Sequence, residues 1–303
     1  MKSPLKIHVR NDLTRRLMGE LAATFLLMYM GFCVNCQTTL SRGQMNSQIG
    51  AIFGWGIALV FAVQLSFYTS ECNSTSKGSH LNPAISFSAW IFGQLSFVDF
   101  CLYTLVQTIA CFLGAALSFL HYYDKINEFD GGHREVFGNN ATAGIFATYP
   151  GDHLSLIGAV FDQLACSTIL AIVVSIISDE RNKIPKWIQP PLFGLMLTGI
   201  SLGFGLNSGN AMNPARDFGP RLFNLFTHGR EVFRCNGNYF WFLIPVVCPF
   251  IGVLWGSWLY QLLIDFQMVD EEELLPSSIP SSAPSATNLL SQSPKLQLHH
   301  HLV

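Results

Sequence analysis

Six apolar runs of about 20 residues alternate with polar stretches along the chain, over 17–36, 49–68, 98–120, 156–178, 188–206 and 239–263. Each is long enough to cross the ~30 Å hydrocarbon core of a bilayer as a helix. Two shorter apolar segments break the rhythm: 83–92, and the stretch from Pro214 to about 226. Neither can span a membrane. Taken in order, the pattern is three spans with a half-span before the third, and then the same again. Repeat one covers about 17–120 and repeat two about 156–263. Three is odd, so the second repeat must enter from the opposite side. The two half-spans then meet near the midplane from opposite faces. The predicted fold class is an all-α membrane protein of six transmembrane helices plus two half-helices in an inverted repeat.

Both half-spans open on the same triplet, Asn82-Pro83-Ala84 and Asn213-Pro214-Ala215. Pro is tolerated at the first helical position and Asn is a favoured N-cap. Each triplet therefore reads as a helix start with an Asn amide left free at its tip. Two tips meeting end to end would bring two amides and two positive dipole ends to one point. Broken helices in corresponding places of two halves are a sequence pointer to a transport site.

Composition narrows the class. Half of the 303 residues are hydrophobic and only 12% are charged, against about 25% in soluble domains. The formal charge is −2, and no basic stripe suggests a nucleic-acid partner. Residues 1–16 carry Lys2, Lys6, Arg10, Arg15 and Arg16 against Asp12 alone. The positive-inside rule places this segment in the cytosol, and an even number of spans returns the C-terminal end to the same side. Arg181, Lys183 and Lys186 mark the loop after the fourth run as cytosolic too. No cleavable signal peptide is expected before the first span. Residues 267–303, acidic and then rich in Ser and Pro, are expected to be a disordered cytosolic tail. Within it, Asp270-Glu271-Glu272-Glu273-Leu274-Leu275 is either an acidic dileucine sorting signal or a solvated acidic end.

No cofactor, metal site or catalytic set stands out. Cys33-Val34-Asn35-Cys36 mimics a redox or zinc pair, but lies inside a span and reads as two small apolar thiols. His299-His300-His301 is too short and too terminal to be a metal site. Two N-glycosylation motifs occur, at Asn73 and Asn140. The topology puts Asn73 in the cytosol and leaves only Asn140, in the outer loop 122–153, as a glycan acceptor. The pairs Gly50/Gly54, Gly199/Gly203, Gly205/Gly209 and Gly252/Gly256 are expected to bring helix backbones together.

The double triplet, with Arg216 and Asp217 directly after the second, resembles the aquaporins and in particular their glycerol-conducting branch, over about 14–266. Arg221, Pro245 and Val246 fit the same branch. The resemblance implies a passive channel for water and small uncharged solutes, chiefly glycerol, built as a homotetramer in the plasma membrane. It implies that Asn82 and Asn213 donate hydrogen bonds to passing oxygens. It further implies a constriction framed by Phe53, Ser201, Asn210 and Arg216. Ser201 is small where water-selective relatives carry His, and Asn210 stands where glycerol-conducting relatives usually carry an aromatic residue. Asp217 is expected to hold the loop behind Arg216. Glu20 and Gln163, on the first helix of each repeat, are expected to bind the backbone entering the half-helices. His80 is expected at the pore mouth, where it could titrate near neutral pH. The polar stretch 70–79 is longer than in most members and reads as an insertion. Two other functions stay open on the residues: a proton-coupled transporter of small organic acids using Glu20 and Asp162, and a structural junction protein with a closed pore.

Overall fold

A computed structural model describes residues 9–70, 79–235 and 240–267, with side chains from 68 to 70 set aside. Asn73, most of the 70–79 stretch, the dileucine motif and the His run lie outside the described residues.

Polar caps set where the helices begin. Asn11 accepts from the Thr14 amide at 3.0 Å and starts α1, Asp12–Leu40, five residues ahead of its apolar run. Asp12 in the first turn holds Arg16 one turn on, at 2.9 Å. Next come α2 (Gln48–Ser70) and the half-helix α3 (Pro83–Ile91). Ser96 caps α4, Phe97–His121. Ser155 caps α6, Leu156–Ser178. Then follow α7 (Gln189–Ser208), the half-helix α8 (Pro214–His228) and α9 (Leu243–Leu263). The 122–153 loop holds a short helix that the apolar pattern does not mark, α5, Tyr123–Asp130; Gly131, at φ +64°, stops it in the left-handed region. Six of these helices are long and apolar enough to cross a membrane, which makes the chain a multi-pass membrane protein.

Helix α1 packs on α2 and α4, α2 on α7, α4 on α8, and α6 on α7. Close crossings depend on missing side chains. A Cβ on Gly194 of α7 would stand 2.7 Å from the Gly56 carbonyl of α2, and one on Gly252 of α9 would stand 2.6 Å from the Leu164 carbonyl of α6. The Gly252/Gly256 pair thus packs as expected. Gly199 and Gly203 do not, since nothing lies within 4 Å of the space a Cβ would take. The spacing marks a smooth helix face but carries no information on which side of the helix faces the bundle. The described residues up to 261 form one compact unit; those from 262 to 267 fall outside it and end in a 3-10 turn at Asp265–Gln267.

Candidate channel site

The two half-helices meet tip to tip, each tied to the other. Asn82 accepts from the Ala84 amide at 2.9 Å through Oδ1 and donates from Nδ2 to the Met212 carbonyl at 2.9 Å. Asn213 accepts from Ala215 at 3.1 Å and Arg216 at 3.2 Å, and donates to the Leu81 carbonyl at 2.8 Å. Leu81 and Met212 each precede their Asn, and both sit at positive φ, +53° and +49°. This strained backbone aims their carbonyls at the opposite tip. The amides are therefore not free, as the triplets alone suggested. Each spends its oxygen on its own helix and one N–H on the other loop, and keeps one N–H.

Buried side chains on the first helix of each repeat hold the entering loops. Glu20 takes the His80 amide at 2.6 Å, the Leu81 amide at 2.8 Å and Gln107 Nε2 at 2.9 Å. Gln163 takes the Met212 amide at 3.3 Å and donates to Ser208 Oγ at 2.6 Å. Asp162 beside it accepts from Asn207 Nδ2 at 2.9 Å and from the Ser208 hydroxyl. The His80 ring stands edge-on to Tyr103, its Nδ1 3.0 Å from Ser86 Oγ.

Arg216 lies in the first turn of α8, where a charge at membrane depth needs water or a partner. Its Nη1 donates to the Phe146 carbonyl at 2.8 Å, and its guanidinium sits 4.9 Å from the Trp55 ring and 5.2 Å from the Phe32 ring. Asp217 turns the other way and pairs with Arg221 at 2.8 Å, both side chains fully buried. Its second oxygen takes the Thr148 amide at 2.8 Å, while Arg221 donates to the Thr148 carbonyl at 2.6 Å. Asp217 and Arg221 thus clamp the segment whose Phe146 carbonyl fixes Arg216. Ser201 and Asn210 form a polar pair: Asn210 Nδ2 donates to Ser201 Oγ at 2.8 Å.

Phe53 is a correction. It lies on an outward stripe of α2 with Ile49, Ile57, Phe61 and Leu65, all about half exposed or more. Trp55, two residues on and therefore some 200° round the helix, faces Arg216 instead. That outward stripe, repeating every four residues, was the signal in the sequence that could have separated the two. Phe32 and Asn35, on α1, had no motif to announce them. Asn140 lies in the loop between α5 and α6 and accepts from Arg42 Nη2 at 2.9 Å. The Thr142 hydroxyl of its motif is buried, donating to Asp130 at 2.9 Å beside His228 Nε2 at 3.0 Å. Among the described residues no group of three or more His, Cys, Asp or Glu could hold a metal ion.

Six spans, two half-helices joined at their tips and an arginine seated beside that junction define a membrane protein built around a pair of re-entrant helices. A model of the family described as major intrinsic protein matches residues 8–260, and the chain belongs to that family. It is 36% identical to aquaporin-9 of Homo sapiens over 286 residues, 94% of each chain. It is 38% identical to aquaglyceroporin-2 of Rhizophagus irregularis over 249 residues, 81% of this chain and 76% of that one. The solved aquaglyceroporin of Plasmodium falciparum superposes with a TM-score of 0.72 at 25% identity, over 84% of this chain and 98% of that one.

Proposed function

We propose that the chain is a passive membrane channel for water and small uncharged solutes, chiefly glycerol. The observation that carries this reading is the tip junction: two Asn amides, cross-tied to the opposite loops, each keep one N–H for a passing oxygen. Arg216, fixed by the Phe146 carbonyl, supplies further donors. Trp55, Ser201, Asn210 and Arg216 frame the constriction. Solute oxygens exchange water for the arginine and amide N–H groups while carbons slide along the indole. The positive ends of α3 and α8, with Arg216, repel cations and protons. Ser201 leaves room that a larger ring would fill, and Asn210 makes that wall polar. Glu20 and Asp162 are each engaged by several donors, which disfavours a proton relay through them.

The chain assembles as a homotetramer in the plasma membrane, both ends in the cytosol, with Asn140 the acceptor of any glycan. Stopped-flow light scattering on proteoliposomes tests the permeation reading. The wild type passes both water and glycerol without a proton leak. Asn210→Phe lowers glycerol flux by narrowing the opening and removing its polar wall. A wild type that excludes glycerol, or an Asn210→Phe variant with every permeability unchanged, defeats the reading.

A further inference from the structure

Asn35 is a polar residue inside a membrane span, three residues after Phe32 and one turn after Gly31. Its amide has both functions occupied. Oδ1 accepts from the Trp55 indole Nε1 at 2.9 Å, and Nδ2 donates to the Ile145 carbonyl at 2.8 Å. The next carbonyl along, that of Phe146, receives Arg216. One side chain therefore touches both flanks of the constriction: the aromatic wall directly, and the arginine through one peptide unit.

The rest of this helical turn fits the same task. The Trp55 ring lies against the bare backbone of Gly31, where a Cβ would collide with the six-membered part of the indole. The Phe32 ring meets Trp55 edge-on at 5.7 Å and Phe146 at 5.7 Å, and lies under the Arg216 guanidinium at 5.2 Å. Gly31 is the seat of the indole and Phe32 its floor. Neither contact by itself fixes where the indole N–H points. Only the Nε1 hydrogen bond does, since hydrogen bonds weaken steeply off line.

We propose that Asn35 is a positioning residue that sets the selectivity of the constriction, by fixing the Trp55 indole and the Phe146 carbonyl at once. The inference rests on the constriction described under Proposed function. Without Asn35 the indole N–H has no partner in an apolar span, which is costly, so the ring turns to seek lumen water. The Ile145–Phe146 segment loses its tether to α1, and Arg216 is held less closely. The opening changes shape although no residue lining it has changed.

The test is a double-mutant cycle in proteoliposomes, read as the ratio of glycerol to water permeability. Asn35→Leu, of the same branched shape and unable to hydrogen-bond, shifts the ratio about fivefold, the equivalent of one buried hydrogen bond. In a Trp55→Phe background, where the indole donor is already gone, the same substitution adds less than half of that shift on a logarithmic scale. A ratio unchanged by Asn35→Leu, or shifted equally in both backgrounds, overturns the proposal; a general packing defect would give the equal shift. If Asn35→Leu does not reach the membrane, Asn35→Thr takes its place, with the same outcomes. Should Trp55→Phe and Arg216→Val leave the ratio unmoved, the constriction lies elsewhere and the reading under Proposed function fails. Should they shift it while Asn35→Leu does not, only the role of Asn35 fails.

Discussion

The loops entering the two half-helices follow one backbone plan and opposite electrostatic plans. In each, a residue at positive φ precedes the Asn, its carbonyl bonds the other Asn, and its amide is held from the first helix of the repeat. The first loop is held by a carboxylate, Glu20, with three donors converging on it. In the second, the backbone is held by a neutral amide, Gln163, through the Met212 N–H at 3.3 Å, and the neighbouring carboxylate of Asp162 takes only side chains, Asn207 Nδ2 and the Ser208 hydroxyl. What the second loop lacks there it gains on the other side, where Asp217 and Arg221 bind the Thr148 segment. The difference follows from Arg216. A cation beside the tip junction needs a fixed carbonyl, and the clamped 146–148 segment supplies one. Among the described residues of the first half-helix no cation stands in the turn after the triplet, and an anchor from within its own repeat holds its loop. Backbone symmetry builds the tip junction, and broken side-chain symmetry places a selective constriction on one side of it.

The largest expected effect breaks the comparison at its anchors. Glu20→Leu strands three buried donors, at about 1–3 kcal/mol each, whereas Gln163→Leu strands one backbone donor. Thermal unfolding of the purified protein should therefore fall much further for Glu20→Leu than for Gln163→Leu. Equal losses would show that the carboxylate has no special place.

A somewhat smaller effect is expected at the outer clamp. Asp217→Leu leaves the Arg221 charge buried without its partner, which costs roughly 3–5 kcal/mol in stability. A milder double change, Asp217→Leu with Arg221→Met, should recover much of the loss, because the uncompensated charge goes with its partner. The same unfolding measurement checks both variants. A double variant as unstable as the single one would mean that Thr148, rather than the ion pair, dominates the clamp.

The smallest effect sharpens the comparison through pH, because the α5–α8 side of the second half carries His228 and Asp130, which meet at the Thr142 hydroxyl. Burial, aided by the Arg134 charge and opposed by Asp130, pushes the His228 imidazole down from its ordinary 6.5 to about 4. A depressed His favours its neutral form in the folded state. Its contribution is whole above pH 6.5 and is lost as pH falls from 6.5 toward 4. Asp130 is a carboxylate for which burial acts upward, but the Gly132 amide, the Thr142 hydroxyl and Arg134 outweigh it and hold its carboxyl below the ordinary 3.8. Its contribution is lost only at still lower pH. Stability should drop modestly, by about 1 kcal/mol after solvent screening, between pH 7 and 4.5, and the unfolding temperature with it. His228→Asn should flatten that drop. An unaltered pH profile in the variant would remove His228 from the cap.

Several features were legible before any coordinates. Six apolar runs of bilayer length, two short ones and a repeated Asn-Pro-Ala triplet determine the span count, the re-entrant helices and their N-caps, because these depend on local periodicity and on the backbone habits of Pro and Asn. Arg216 could be singled out because a charge at that depth, directly after the second triplet, demands water or a partner. What no local rule carries is direction around a helix and the partner across a gap. Phe53 and Trp55 are both aromatic on one turn of α2; only the packing of α2 against α1 and α7 turns Trp55 inward and Phe53 out. Gly199 and Gly203 have the same spacing as Gly252 and Gly256, yet only the second pair meets a neighbouring backbone. Asn35 carries no motif, because its importance consists of two bonds to residues 20 and 110 positions away. Tertiary structure decided these points because a hydrogen bond or a ring contact depends on distance in space, and distance along the chain does not report it.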